Sequence, residues 1–194
     1  MKIKIGFFAI LLLLTVWFDR SWQAVATLCA AAVHEAGHLL AGALCRIRFR
    51  ELRLGLFGAG FLISEQSLPT YRQETLISAA GPAVNFALAL PYLLSGSLPG
   101  NALYREFILS CLILGGVNLL PIRDFDGGRI LHSLLSLLFS PRAADRILSF
   151  TSAVCIFSLW VFSVYLLLRY TRSLSLFVFA CQLFFRMIQS PGTD

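Results

Sequence analysis

Trp22-Gln-Ala-Val-Ala-Thr-Leu-Cys-Ala-Ala-Ala-Val-His34-Glu35-Ala36-Gly37-His38-Leu-Leu-Ala-Gly-Ala-Leu-Cys45 is an apolar run interrupted by three ionisable groups. On a helix, positions i and i+4 lie about 40° apart around the axis, so His34 and His38 face one point. Two neutral imidazoles at that spacing bind Zn²⁺, and Glu35 between them can take a proton from an attacking water. The spacing alone arises by chance in soluble helices. Here it lies in a stretch long enough to cross a bilayer, where ionisable groups cost several kcal/mol and mark function. A buried histidine serving only the core explains one of the three groups, not all three at this spacing.

The rest of the chain is equally apolar. Of 194 residues, 58% are hydrophobic and 13% charged, about half the roughly 25% charged share of soluble domains. Mean hydropathy is +0.79. A soluble domain of this size cannot hide so much apolar surface, so the composition predicts an all-α integral membrane protein forming one domain over residues 1–194. The net charge of +6 sits in short runs between apolar stretches. That distribution suits a membrane boundary, and no nucleic-acid motif accompanies it. The five cysteines include no C-x-x-C pair and read as buried free thiols.

Six apolar stretches can be marked: Ile5–Phe18, Trp22–Cys45, Thr75–Leu94, Ala102–Leu120, Ile147–Leu168 and Leu174–Ile188. The first follows Lys2 and Lys4 without a small-x-small cleavage site and reads as a retained anchor. The first and sixth are short for a span of about 20 residues. Between the second and third, residues 46–54 alternate polar and apolar, and Gly55, Gly58 and Gly60 precede Phe61-Leu62-Ile63. That period of two fits a small β-hairpin at the membrane surface, with an irregular amphipathic loop as the other reading. With six spans and a cytoplasmic N-terminus, only Arg20, Arg105, Arg169 and Arg172 of the sixteen Lys and Arg fall outside. The positive-inside bias therefore puts both termini in the cytoplasm. Along the second stretch, His38 then lies toward the cytoplasmic leaflet.

Two histidines leave zinc short of the three protein ligands usual at a catalytic site. His132, Asp124, Asp126 and Glu106 are the remaining candidates. The fourth stretch ends in Asn118-Leu-Leu-Pro121-Ile-Arg-Asp124-Phe-Asp126-Gly127-Gly128. Pro121 and the paired glycines break the helix there, and an Asp at the break can reach a neighbouring helix. Irregular backbone at membrane depth is tolerated where it lines a cavity. Cys45 lies on the His38 face but about 10 Å along the axis, too far to share a metal, and reads as packing.

These motifs resemble the site-2 proteases, the intramembrane zinc metalloproteases. The family's H-E-x-x-H matches His34, Glu35 and His38. Its N-x-x-P followed by D-G matches Asn118, Pro121, Asp126 and Gly127. A shared G-P-x-x-N matches Gly81, Pro82 and Asn85. The eight-residue interval from Asn118 selects Asp126 over Asp124.

The resemblance implies one Zn²⁺ per chain on His34, His38 and Asp126, with Glu35 as general base and then proton donor. It implies Asn85 and Asn118 as polar groups at the substrate. It further implies a catalytic core over about 22–130 with accessory helices over 147–188, and protein substrates in or at the bilayer. Interhelical hydrogen bonding is the other reading of each buried Asn. His132 is expected beside the ligands or at the interface rather than on the metal.

Six stretches with the motif in the second resemble the sporulation branch, stage IV sporulation protein FB, which processes a pro-sigma factor. The chain's end at Asp194, soon after the sixth stretch, reads as a minimal form lacking the CBS or PDZ domains of other branches, and a membrane-protein regulator is a further expected partner. Two other classes compete. A zinc transporter would carry more ligands along several spans than three His, and a non-catalytic zinc-holding adaptor would need no Glu35.

Overall fold

A computed structural model describes residues 2–5, 22–47, 49–55, 58–63, 68–96, 100–169 and 174–189. Its elements run β1 (Lys2–Ile5), α1 (Trp22–Leu44), β2 (Phe49–Gly55), β3 (Gly58–Ile63), α2 (Tyr71–Ser95), α3 (Ala102–Asn118), α4 (Asp126–Leu138), α5 (Pro141–Arg169) and α6 (Leu174–Gln189). The chain divides into two compact units, Met1–Leu119 and Leu120–Asp194. The division falls within the stretch expected to form the catalytic core.

In the first unit, α1, α2 and α3 pack on one another. The contact stripe of α1 is Ala26, Ala30, His34, Gly37 and His38, all buried. That of α2 is Ser78, Gly81, Pro82, Asn85 and Ala89. Both stripes follow the helical period, and both are built mainly of small residues, which let backbones approach closely where lipid supplies no hydrophobic drive. A Cβ at Gly37 would stand 2.8 Å from the Ala80 carbonyl oxygen, so a glycine is required at this crossing. Gln73 donates from Nε2 to the Cys45 carbonyl at 3.3 Å, tying the end of α1 to the start of α2. Thr70 opens α2 in a capping box with Gln73, and Gly96 closes it at φ 65°.

The alternating segment forms strands. β2 and β3 pair antiparallel from Phe49↔Ile63 to Gly55↔Gly58, with an irregularity between Phe49 and Glu51. β1 adds to β2 in parallel, Lys2↔Glu51 through Ile5↔Leu54. Ile5, expected to begin the first apolar stretch, is therefore a strand residue. The rest of that stretch lies outside the described residues.

In the second unit, α4 packs on α5 and α5 on α6. The break after Leu120 is held to α5 by a polar network. Ser152 Oγ accepts from the Arg123 backbone N–H at 3.0 Å and donates to the Pro121 carbonyl at 3.3 Å. The Arg123 guanidinium bonds Asp145 at 3.2 Å and Ser149 Oγ at 3.0 Å. The glycine pair, expected as part of the break, lies instead in the first turn of α4. A Cβ at Gly128 would collide with the Ile122 carbonyl, so the missing side chain is what lets the break fold back on this helix.

Among the described residues, three helices are long and apolar enough to cross a membrane: Gln23–Leu44, Tyr71–Ser95 and Pro141–Arg169. α3 and α6 have 17 and 16 residues. Large apolar side chains cover the outside, with Leu44, Leu94 and Leu168 at 77%, 79% and 83% exposure. Such a surface suits lipid rather than water. These features mark a membrane protein.

Candidate metal centre

His34 and His38 leave α1 one turn apart and are both buried, at 3% and 6% exposure. Their Nε2 atoms stand 3.2 Å from each other. Tetrahedral zinc with Zn–N bonds near 2.05 Å would separate two ligand nitrogens by roughly 3.3 Å. The rings meet edge to face, with centroids 4.8 Å apart and planes at 80°.

The outer nitrogens have partners on α2. His38 Nδ1 lies 2.7 Å from the Ile77 carbonyl oxygen, which can only accept. The proton is therefore on Nδ1, and Nε2 offers its lone pair. His34 Nδ1 lies 3.2 Å from the Asn85 side-chain amide.

Gly81 of α2 closes the space beside the two Nε2 atoms. A Cβ there would collide with His38 Nε2 and stand 2.8 Å from His34 Nε2. Glycine thus leaves open a cradle that any side chain would fill. The two nitrogens, their converging geometry and this cradle fit a divalent metal such as zinc.

The other expected residues fall as follows. Glu35 is half-buried on α1, next to His34. Asn85 is wholly buried and touches His34 from behind. Asn118, the last residue of α3, donates from Nδ2 to the Leu114 carbonyl at 3.1 Å. In the second unit, Asp126 is the first residue of α4 and is buried at 8% exposure, whereas Asp124 is exposed.

Of the candidates set aside, His132 Nε2 lies 3.6 Å from Asp145 Oδ1, and Glu106 pairs with Arg105 at 4.0 Å. Cys45 is half-buried and meets Gln73 through its carbonyl. The sequence reading missed two contributors. Gly81 enters the sequence pattern only as part of a motif, although a glycine preceding a proline inside an apolar helix signals close packing. The Ile77 carbonyl is a backbone group that no pattern of side chains reveals.

Residues 22–110 match the model of peptidase family M50. A candidate zinc metalloprotease of Synechocystis sp. is 30% identical over 126 residues, covering 62% of this chain and 33% of the relative. A zinc metalloprotease of Methanocaldococcus jannaschii is 30% identical over 112 residues, covering 55% of this chain and 32% of the relative. The chain thus spans about a third of the length of these curated relatives. In fold it is similar to a site-2 protease from Methanocaldococcus jannaschii, at TM-score 0.66 and 22% identity, over 100% of this chain and 94% of that one.

Proposed function

We propose that this chain, whose residues 22–110 match the family M50 model and whose fold is similar to that of a site-2 protease, is an intramembrane zinc metalloendopeptidase. Its substrates would be membrane-spanning or membrane-associated proteins, with pro-sigma and anti-sigma factors as the regulatory class. The observation that carries the reading is the buried pair of Nε2 atoms 3.2 Å apart over a cradle kept open by Gly81.

His34 and His38 hold the zinc, and Asp126 supplies the third ligand. That choice rests on the eight-residue interval from Asn118 and on the burial of Asp126 where Asp124 is exposed. Zinc bound there supplies Lewis acidity, polarising the scissile carbonyl and making water acidic near neutral pH. Glu35 takes the proton of the attacking water and delivers it to the departing amine. The Ile77 carbonyl holds the His38 ring in the tautomer that ligation requires. Asn118, at the end of α3, bonds the substrate backbone.

The whole chain acts as one domain of six spans with both termini cytoplasmic, and the strands lie at the cytoplasmic membrane surface. Supporting this placement, twelve of the sixteen Lys and Arg fall on that side.

The test is cleavage of a co-reconstituted single-span substrate together with bound zinc. Glu35→Gln should abolish product and keep zinc. Asp126→Asn should lose both, and Asp124→Asn should stay near wild-type activity. Full cleavage by Glu35→Gln would exclude the mechanism. Zinc flux into liposomes without any cleavage would favour transport instead.

A further inference from the structure

A histidine that gives Nε2 to a metal must carry its proton on Nδ1, and a buried Nδ1–H needs an acceptor. For His38 that acceptor is the Ile77 carbonyl. For His34, Nδ1 faces the Asn85 amide, with Nδ2 at 3.2 Å. An amide nitrogen cannot accept. If it donated to Nδ1, the His34 proton would move to Nε2 and block ligation there. Turning the amide over about its Cβ–Cγ bond exchanges Nδ2 and Oδ1 with no change of shape.

Two observations favour the turned amide. The Asn85 side chain is fully buried, at 0% exposure. Its Oδ1 finds no hydrogen-bond partner among the described residues, so that acceptor is not engaged elsewhere. Asn85 also sits on α2 one turn after Gly81, so the helix that leaves the metal cradle open is the one that reaches behind His34.

We infer that Asn85 is a positioning residue for the metal rather than a substrate-binding one. Its Oδ1 accepts from His34 Nδ1–H, fixing the tautomer and ring angle that aim Nε2 at zinc. With Ile77, this gives each histidine one acceptor from α2. The inference rests on the reading of His34 and His38 as zinc ligands.

The two roles of the amide separate by substitution. Aspartate keeps an acceptor at the same reach and has no donor, as in carboxylate–histidine–zinc triads. Leucine keeps the bulk and has neither. Full-length protein in detergent would be titrated with zinc against a chelator, and with Co²⁺ for its visible absorption. Asn85→Asp should bind zinc within about threefold of wild type, while Asn85→Leu should bind about 10–100-fold more weakly and shift the Co²⁺ bands.

If Asn85→Leu does not fold, Asn85→Ser takes its place, since the shorter hydroxyl cannot span to Nδ1, and the same loss is expected. Equal weakening by Asp and Leu (or Ser) would show that the amide donates and would overturn the inference. So would wild-type affinity in Asn85→Leu or Asn85→Ser. His34→Ala and His38→Ala are tested alongside: if they keep full zinc affinity, the ligand reading itself fails. If they lose it while Asn85→Leu or Asn85→Ser does not, only the role of Asn85 falls.

Discussion

Gly81 illustrates how one absent atom shapes the candidate centre. Nothing in its backbone demands glycine, for it lies within regular helix. The demand comes from across the α1–α2 contact, where a methyl would meet both Nε2 atoms. Gly81→Ala should therefore act on the metal before the fold. Zinc retention should drop, and activity should fall about a hundredfold, the scale for an ångström of misplacement at a reacting centre. Zinc content and turnover of the purified variant check this, and wild-type values for both would show that the cradle is not the metal position. At this same scale, the two aspartates of the break differ in burial. Asp124 faces out while Asp126 is enclosed at the head of α4.

At the scale of elements, the end of α1 carries a correctable cost. Ile47 N–H donates to the Gly42 carbonyl at 2.9 Å and Arg46 N–H to the Ala43 carbonyl at 3.0 Å, the paired bonds of a Schellman cap. The motif needs a left-handed residue, and Arg46 takes that role at φ 58°. A side chain there costs about 1–2 kcal/mol, against the roughly 0.5–1 kcal/mol of extra unfolded-state entropy that glycine loses. Arg46→Gly should raise stability by roughly 0.5–1 kcal/mol, or about 2 °C in Tm for a chain of this length. A thermal melt in detergent reads it, and a lower Tm would mean that the Arg46 side chain holds something its backbone cost conceals. Element ends are also where the sequence reading slipped. The fifth apolar stretch was expected from Ile147, but α5 begins at Pro141, six residues earlier. Hydropathy marks where charges stop, whereas the helix starts where Ser140 Oγ accepts from the Ala143 N–H and proline occupies the first turn.

For the whole molecule, the proposed orientation in the bilayer can be read from the two ends of α2. Leu68 and Gly100 flank α2, whose 25 residues extend about 37 Å at 1.5 Å per residue, enough to cross the hydrocarbon core. Leu68 is 73% exposed, and Gly100 has open space around it. Single cysteines at these sites, in a background without the five native ones, should label oppositely with an impermeant maleimide. Gly100→Cys should react in intact cells and Leu68→Cys only after permeabilisation, as the Lys and Arg distribution requires. Labelling of Leu68→Cys from outside would reverse the proposed topology and move product release to the other side.

The sequence by itself determined that His34 and His38 face one point, because the 3.6-residue period relates i to i+4 without reference to any other segment. It also determined that this happens in apolar surroundings, since hydropathy is a property of contiguous residues. The strand pattern of residues 49–55 was legible for the same reason. What stands behind the histidines was decided only by the tertiary structure. The Ile77 carbonyl is 39 residues from His38 and Asn85 is 51 residues from His34. Their arrival depends on how closely α1 and α2 cross, which the small residues Gly37, Ala80 and Gly81 permit. Side-chain identity names a ligand, but the proton on its far nitrogen answers to whatever backbone or amide the packing brings there.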